Sequence, residues 1–163
     1  MARRTSRTRQ QGPQASGAIT PDEIRALQLE VAQSLIRGER VPGGTDRVQF
    51  PDARFFAERG DTPVSDEHLA GATKSRTAAN SGASVRVLAE DEIVQTAHDH
   101  GDLPYLTFAP PVVEGTTLTL TVHGRVAPAD PQQRVGHLSS ATFRFERQGD
   151  AWALIEGPTY SAA

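Results

Sequence analysis

The chain has 163 residues, 37% hydrophobic and 23% charged. That length predicts one domain with enough core to fold without disulfides or metals. Cysteine is absent, which excludes thiolate zinc sites, iron–sulfur clusters, disulfide scaffolds and a cysteine nucleophile. No apolar run of about 18 residues occurs, so no membrane span is predicted.

Charge is distributed unevenly. Residues 1–20 carry Arg3, Arg4, Arg7 and Arg9 and no acid, so against a net charge of −3 the remainder sums to −7. An acidic body is a poor match for a phosphate backbone. Sixteen arginines stand against the single lysine Lys74, a bias spread over the whole chain. Zinc-finger, RNA-recognition and helix-turn-helix signatures are missing. Nucleic acid is therefore not an expected partner. Residues 1–18 hold almost nothing to bury and predict a disordered basic tail. They lack the apolar stretch of a secretory signal, and a cytoplasmic location is expected.

Thr20-Pro21-Asp22-Glu23 marks a helix start, with Thr20 as cap, Pro21 at the first helical position and Glu23 closing a capping box. Ile19 and Ile24 are spaced for a hydrophobic staple. Ile24, Leu27, Val31 and Leu35 form one helical stripe. Gly38 ends the helix. Asp46 to Phe50 predicts a short strand stopped by Pro51, and Phe55 and Phe56 are expected to be buried. Residues 60–84 are rich in Gly, Ser, Thr, Ala and Asn. They predict a loosely held helix from about Asp66 to Ala79, capped by Ser65, or a long loop.

The C-terminal half reads as a sheet. Val85 to Leu88 is a short strand. Glu90-Asp91-Glu92 opens a helix with acids at its positive end, Ile93, Val94 and Ala97 give it an apolar side, and Gly101 ends it. Leu103 to Ala109 is extended up to Pro110-Pro111. From Thr116 to Val126 the residues alternate. Leu118, Leu120, Val122 and Val126 point one way; Thr117, Thr119, Thr121, His123 and Arg125 point the other, the pattern of a half-buried antiparallel strand. His137 to Arg147 continues it, with Ala141, Phe143 and Phe145 inward and Thr142, Arg144 and Glu146 outward. Gln148-Gly149-Asp150 predicts a hairpin turn. Trp152 to Gly157 is the last strand, ended by Pro158.

These elements predict an α+β domain over residues 19–163. An N-terminal helix packs on a four- to five-stranded antiparallel meander. The arrangement resembles the cone-shaped nuclear-transport-factor-2-like and cystatin-like superfamily. The resemblance is carried by the capped helix 20–37, the Thr-rich strand 116–126, strand 137–147 and the Gly149-Asp150-Ala151-Trp152 hairpin. It implies an outline match over residues 20–160 and an option to dimerise through the sheet. Catalytic members set polar pairs inside the cone. Here the inward positions of both long strands are apolar, which argues against catalysis.

Chemistry-bearing clusters are few. In His98-Asp99-His100-Gly101-Asp102, a helix sets the two imidazoles about 200° apart, too far round to share an ion. No metal site and no cofactor is expected. Ser139-Ser140 lies in no G-x-S-x-G elbow, and Gly43-Gly44 in no phosphate loop. His123 and His137 fall on strands joined by one loop, and a strand-paired His and Arg, such as His123 and Arg125, suits an anion.

Two functional expectations remain. One is a binding module contacting a protein partner or a second copy through Thr117, Thr119, Thr121, His123, Arg125, Arg144 and Glu146. The other is a small-molecule carrier or enzyme with a pocket between helix 20–37 and the sheet. A polar group of His98, Asp102 and Tyr105 would support it.

Overall fold

The structure, a computed structural model, describes residues 18–51, 56, 61–71 and 85–162. The expectations for the tail, for Phe55 and for residues 72–84 lie outside the described residues.

Helix α1 (Pro21–Arg37) forms as its sequence dictates. The Glu23 backbone N–H donates to Thr20 Oγ1 at 3.2 Å, and the Thr20 N–H donates to Glu23 Oε1 at 2.9 Å. Both interactions satisfy amides that a helix start leaves without partners. Gly38 takes the left-handed conformation, φ +71°, and returns its N–H to Ser34 O at 2.8 Å. Ile19 and Ile24 are both buried beside the cap.

Among the described residues, seven strands form one mixed sheet: β1 (Thr62–Ser65), β2 (Val85–Leu88), β3 (Leu103–Phe108), β4 (Val112–Glu114), β5 (Thr117–Ala127), β6 (Gly136–Gln148) and β7 (Ala151–Ala162). Their order is β2-β1-β3-β5-β6-β7, with β4 also paired to β5. The expected four- to five-stranded meander is thus corrected in two respects. From β3 through β5 and β6 to β7 the pairing is antiparallel, but β1 runs parallel to both its neighbours, β2 and β3. Helix α2 (Glu90–His100) connects β2 to β3. A strand–helix–strand crossover of this kind joins parallel strands. β1 is buried at all four positions. A strand covered on both faces shows no alternation, so its sequence carries no period-two signal.

Three further expectations are revised. Residues 46–50 contribute only an isolated bridge, Arg47 to Arg40. Residues 66–71 form a turn and bend after β1 in place of the start of a helix. The last strand passes Pro158 and continues to Ala162. β7 is the outer strand, where a missing N–H breaks no ladder, and a register shift between Thr142 and Arg144 accommodates the irregularity. Gly157 sits there at φ +103°, and a Cβ on it would lie 2.5 Å from Thr142 O.

The main core lies between α1 and one sheet face. Leu27, Val31 and Leu35 meet Leu118, Leu120, Phe143 and Phe145, each no more than 1% exposed. The Phe143 and Phe145 rings stack at 6.0 Å, and Trp152 meets Phe145 edge-on at 6.2 Å. Among the described residues these side chains pack together between α1 and the sheet, where the second functional expectation placed a pocket. A smaller core of Ile93, Ala97, Leu103, Tyr105 and Ala127 lies under α2 on the opposite face. Val94, expected on the apolar side of α2, is 39% exposed.

Two polar anchors fix α1. Arg147 Nη1 reaches Glu23 Oε1 at 2.9 Å, tying the helix start to the end of β6. Gln28 is fully buried. Its amide donates to His68 O at 3.1 Å and accepts from the Ala70 N–H at 3.0 Å.

Phe143→Ala is expected to cost about 3–5 kcal/mol, and Thr142→Ala under about 1. Gln28→Leu, which strands two backbone groups, should cost about 2 kcal/mol. Urea unfolding of the three variants measures this; Thr142→Ala as the worst would mean that the two faces are exchanged.

Candidate functional site

α2 packs on one sheet face over β1, β3 and the Ala127 end of β5, and no other described element covers the rest of β5, β6 and β7 on that face. Cross-strand registers place its side chains in rows. Thr117 stands beside Glu146, Thr119 beside Arg144, Thr121 beside Thr142 and His123 beside Ser140. β7 extends these rows with Glu156 beside Arg144, Thr159 beside Thr142 and Ser161 beside Ser140. The two hydroxyls of Thr121 and Thr142 lie 3.1 Å apart and hydrogen-bond. Arg144 Nη1 pairs with Glu156 Oε1 at 3.5 Å. Between these rows is a shallow depression of about 230 Å³ lined by Thr119, Thr142, Arg144, Glu156 and Thr159.

All seven residues expected on the interaction face share this side of the sheet. Thr142, read as outward with Arg144 and Glu146, joins them, and two residues that sequence reasoning passed over extend the field: Thr159 beside Thr142, and Val112, 50% exposed, at the margin beside Thr119.

One end of the face is chemically distinct. His123 Nδ1 and Ser140 Oγ are 2.7 Å apart, and His137 Nε2 lies 3.4 Å from the same oxygen. The two imidazole rings are 5.6 Å apart. A β-bulge brings them together. Between His123 and Arg125 on β5, β6 runs from Ser140 to His137, one residue more than its partner. In an unbulged ladder Leu138 would oppose Arg125, and His137 would turn to the other face. The extra residue sets His137 beside Arg125, on the side of His123.

Arg125 also faces Tyr105 across the β3–β5 pair, and the two side chains hydrogen-bond. The Arg125 Nε is buried, and among the described residues it has no hydrogen-bond partner. Beyond Tyr105 stands Glu90, in the first turn of α2. Its Oε1 accepts from Ser65 Oγ at 2.5 Å, and its Oε2 lies 3.5 Å from the Tyr105 hydroxyl. Burial, reinforced by the Glu90 carboxylate, pushes the Tyr105 phenol above its ordinary value. Burial also lowers the His123 pKa, and Arg125 and His137 push it the same way. Burial first, then the neighbouring Arg125 and His137, thus hold His123 toward its neutral form.

His98, Asp102 and Tyr105, expected together as pocket residues, are used separately. Tyr105 joins Glu90 and Arg125 near the start of α2. His98 is exposed toward the helix end, and Asp102 Oδ1 accepts from the Ala129 N–H at 2.7 Å. Among the described residues no group of three or more His, Asp or Glu side chains is placed to hold a metal ion. No described helix is long and apolar enough to cross a membrane. Comparison of the chain with protein-family models, with curated proteins and with solved structures finds no match.

His123 should titrate below its ordinary value of about 6.5. A depressed folded-state value contributes stability above the unfolded pKa, lost as pH falls through the folded one. Arg125→Gln should move the His123 midpoint upward by removing one repulsion. NMR titration of the imidazole resonances measures both; an unchanged midpoint in the variant would dissociate Arg125 from His123.

Proposed function

We propose that this chain is a non-catalytic binding module whose working surface is the open β5–β6–β7 face, and that a second copy of the chain covers that face. The observation that carries the reading is the threonine field itself. Thr117, Thr119, Thr121, Thr142 and Thr159 lie side by side on a face that no described element covers, with charge at Arg144, Glu146 and Glu156 around them and at Arg125 toward one end. Threonine is β-branched and uncharged, so such rows pack flat against another sheet at small desolvation cost.

Charge supports a second copy. Residues 117–122 of β5 with the two neighbouring strands span about 300 Å² in plan, so the contact is a small one to which side-chain relief adds. A two-fold axis near the depression would set Arg144 of each copy toward the acids of the other, which is the self-complementarity a symmetric dimer needs. The acidic body repels copies elsewhere. The fold, a helix on a strongly paired antiparallel core, is proposed to belong with the nuclear-transport-factor-2-like and cystatin-like cones, in which sheet-face dimers are an option.

Light scattering of the full chain at about 100 μM should give the mass of a dimer. Thr119→Lys combined with Thr121→Lys should give a monomer with an unchanged melting temperature. A monomeric parent, or a double variant that stays dimeric, would overturn the reading.

A further inference from the structure

The geometry points to a second, separate binding site at the α2 end of the face: we propose that Arg125, His123, His137 and Ser140 hold the carboxylate group of a small organic acid. This inference does not depend on the dimer.

Four observations converge. The first is an unmet donor. Arg125 Nε is buried and, among the described residues, unpartnered, and a buried donor without an acceptor is costly enough that proteins rarely leave one. An acceptor arriving at that edge of the guanidinium engages Nε and a terminal nitrogen together, the side-on fork that suits a planar carboxylate.

The second is positioning. Tyr105 and the register of β5 against β3 and β6 hold Arg125 in place, while Glu90 is occupied by Ser65 and Tyr105. Glu90, the acid that the described residues place beside Tyr105, is thus committed elsewhere.

The third is the pair of imidazoles on Ser140. Both rings approach one hydroxyl oxygen, so Ser140 relays between them and can turn its proton to an incoming oxygen. His137 is exposed and Ser140 buried, so the ligand enters past the His137 ring. Thr107, opposite His123 on β3, closes the far side and is itself buried.

The fourth is charge balance. The groups facing His123 are Arg125 on its own strand, His137 and Ser140 on β6 and Thr107 on β3; Tyr105 and Glu90 lie beyond Arg125. With His123 held toward its neutral form, one permanent positive charge faces the site. A single carboxylate matches it. A phosphate dianion would need the imidazoles protonated and so a lower pH. An anion bound here also offsets the repulsion on His123, which raises its pKa. Binding therefore takes up protons and tightens as pH falls through the His123 range.

The test is an amide and imidazole NMR titration of the full chain with sodium acetate, with sodium chloride at matched ionic strength as control. Acetate should shift His123, Arg125, His137 and Ser140 saturably. Its affinity should rise several-fold between pH 8 and pH 6 and fall at least tenfold in Arg125→Gln. Arg125→Lys keeps the charge but loses the fork, and should bind nearly as poorly. Inorganic phosphate at pH 8 should bind more weakly than acetate. Absence of saturable shifts at these four residues, or equal affinity in Arg125→Gln, would overturn the site. Tighter phosphate binding at pH 8 would overturn the assignment to a carboxylate. Thr119→Lys with Thr121→Lys should leave acetate binding intact, which separates failure of this site from failure of the dimer.

Discussion

The antiparallel pairing of β5 with β6 is the constraint on which the rest of the molecule depends. It spans almost the whole of both strands, and it assigns every side chain to one of two opposed faces. A slip of one residue would turn Leu120 and Phe143 to water and the threonines into the core. One face supplies the apolar floor on which α1 rests. The other supplies the threonine field and, past the bulge, the two imidazoles and the arginine. Core and site are therefore not independent features. The same ladder that buries Phe143 stands Thr142 on the opposite side.

The helix is located by polar contacts as well as by its stripe. Burial of Leu27, Val31 and Leu35 is non-directional and would tolerate a rotated or shifted helix. The Glu23 carboxylate removes that freedom. It closes the capping box at Thr20 and receives Arg147 from the end of β6. Gln28 does the same in the middle of the helix by gripping the turn after β1 at two backbone groups. Gly124 shows how close the packing is on the sheet side: a Cβ there would lie 2.8 Å from the Phe56 ring.

Much of this was legible in the chain because the physical signal was local. The cap at Thr20, the stripe to Leu35, the alternation from Leu118 to Val122 and the turn at Gly149 each depend on a few consecutive residues. What was not legible depends on partners far apart in sequence. β1 has no alternation because α2 and the main core cover both its sides. Its parallel pairing with β2 and β3 joins segments roughly 20 and 40 residues away. Within the site, His123 and Arg125 could be placed on the polar face from their spacing. Strict alternation along β6 puts His137 on the core face, and only the bulge opposite Gly124 reverses it; that glycine inside a strand was the one local sign of the irregularity. Glu90 read as a helix-start acid and Ser65 as a helix cap. Their mutual hydrogen bond exists because β1 lies beside β2, which leads into α2.

The central claim is that the polar side of β5 and β6 is an exposed, working surface. Since the chain has no cysteine, single thiols can be placed along the ladder and their labelling rates measured. Thr119→Cys and Thr142→Cys should label fast in dilute solution, and Leu120→Cys and Ala141→Cys should be strongly protected. The two threonine positions should slow as protein concentration rises, while an exposed position on α2, Gln95→Cys, should not. Fast labelling at Leu120 and Ala141 with protection at Thr119 and Thr142 in dilute solution would contradict the face assignment. Labelling at Thr119 and Thr142 that is indifferent to concentration would contradict the assembly built on it.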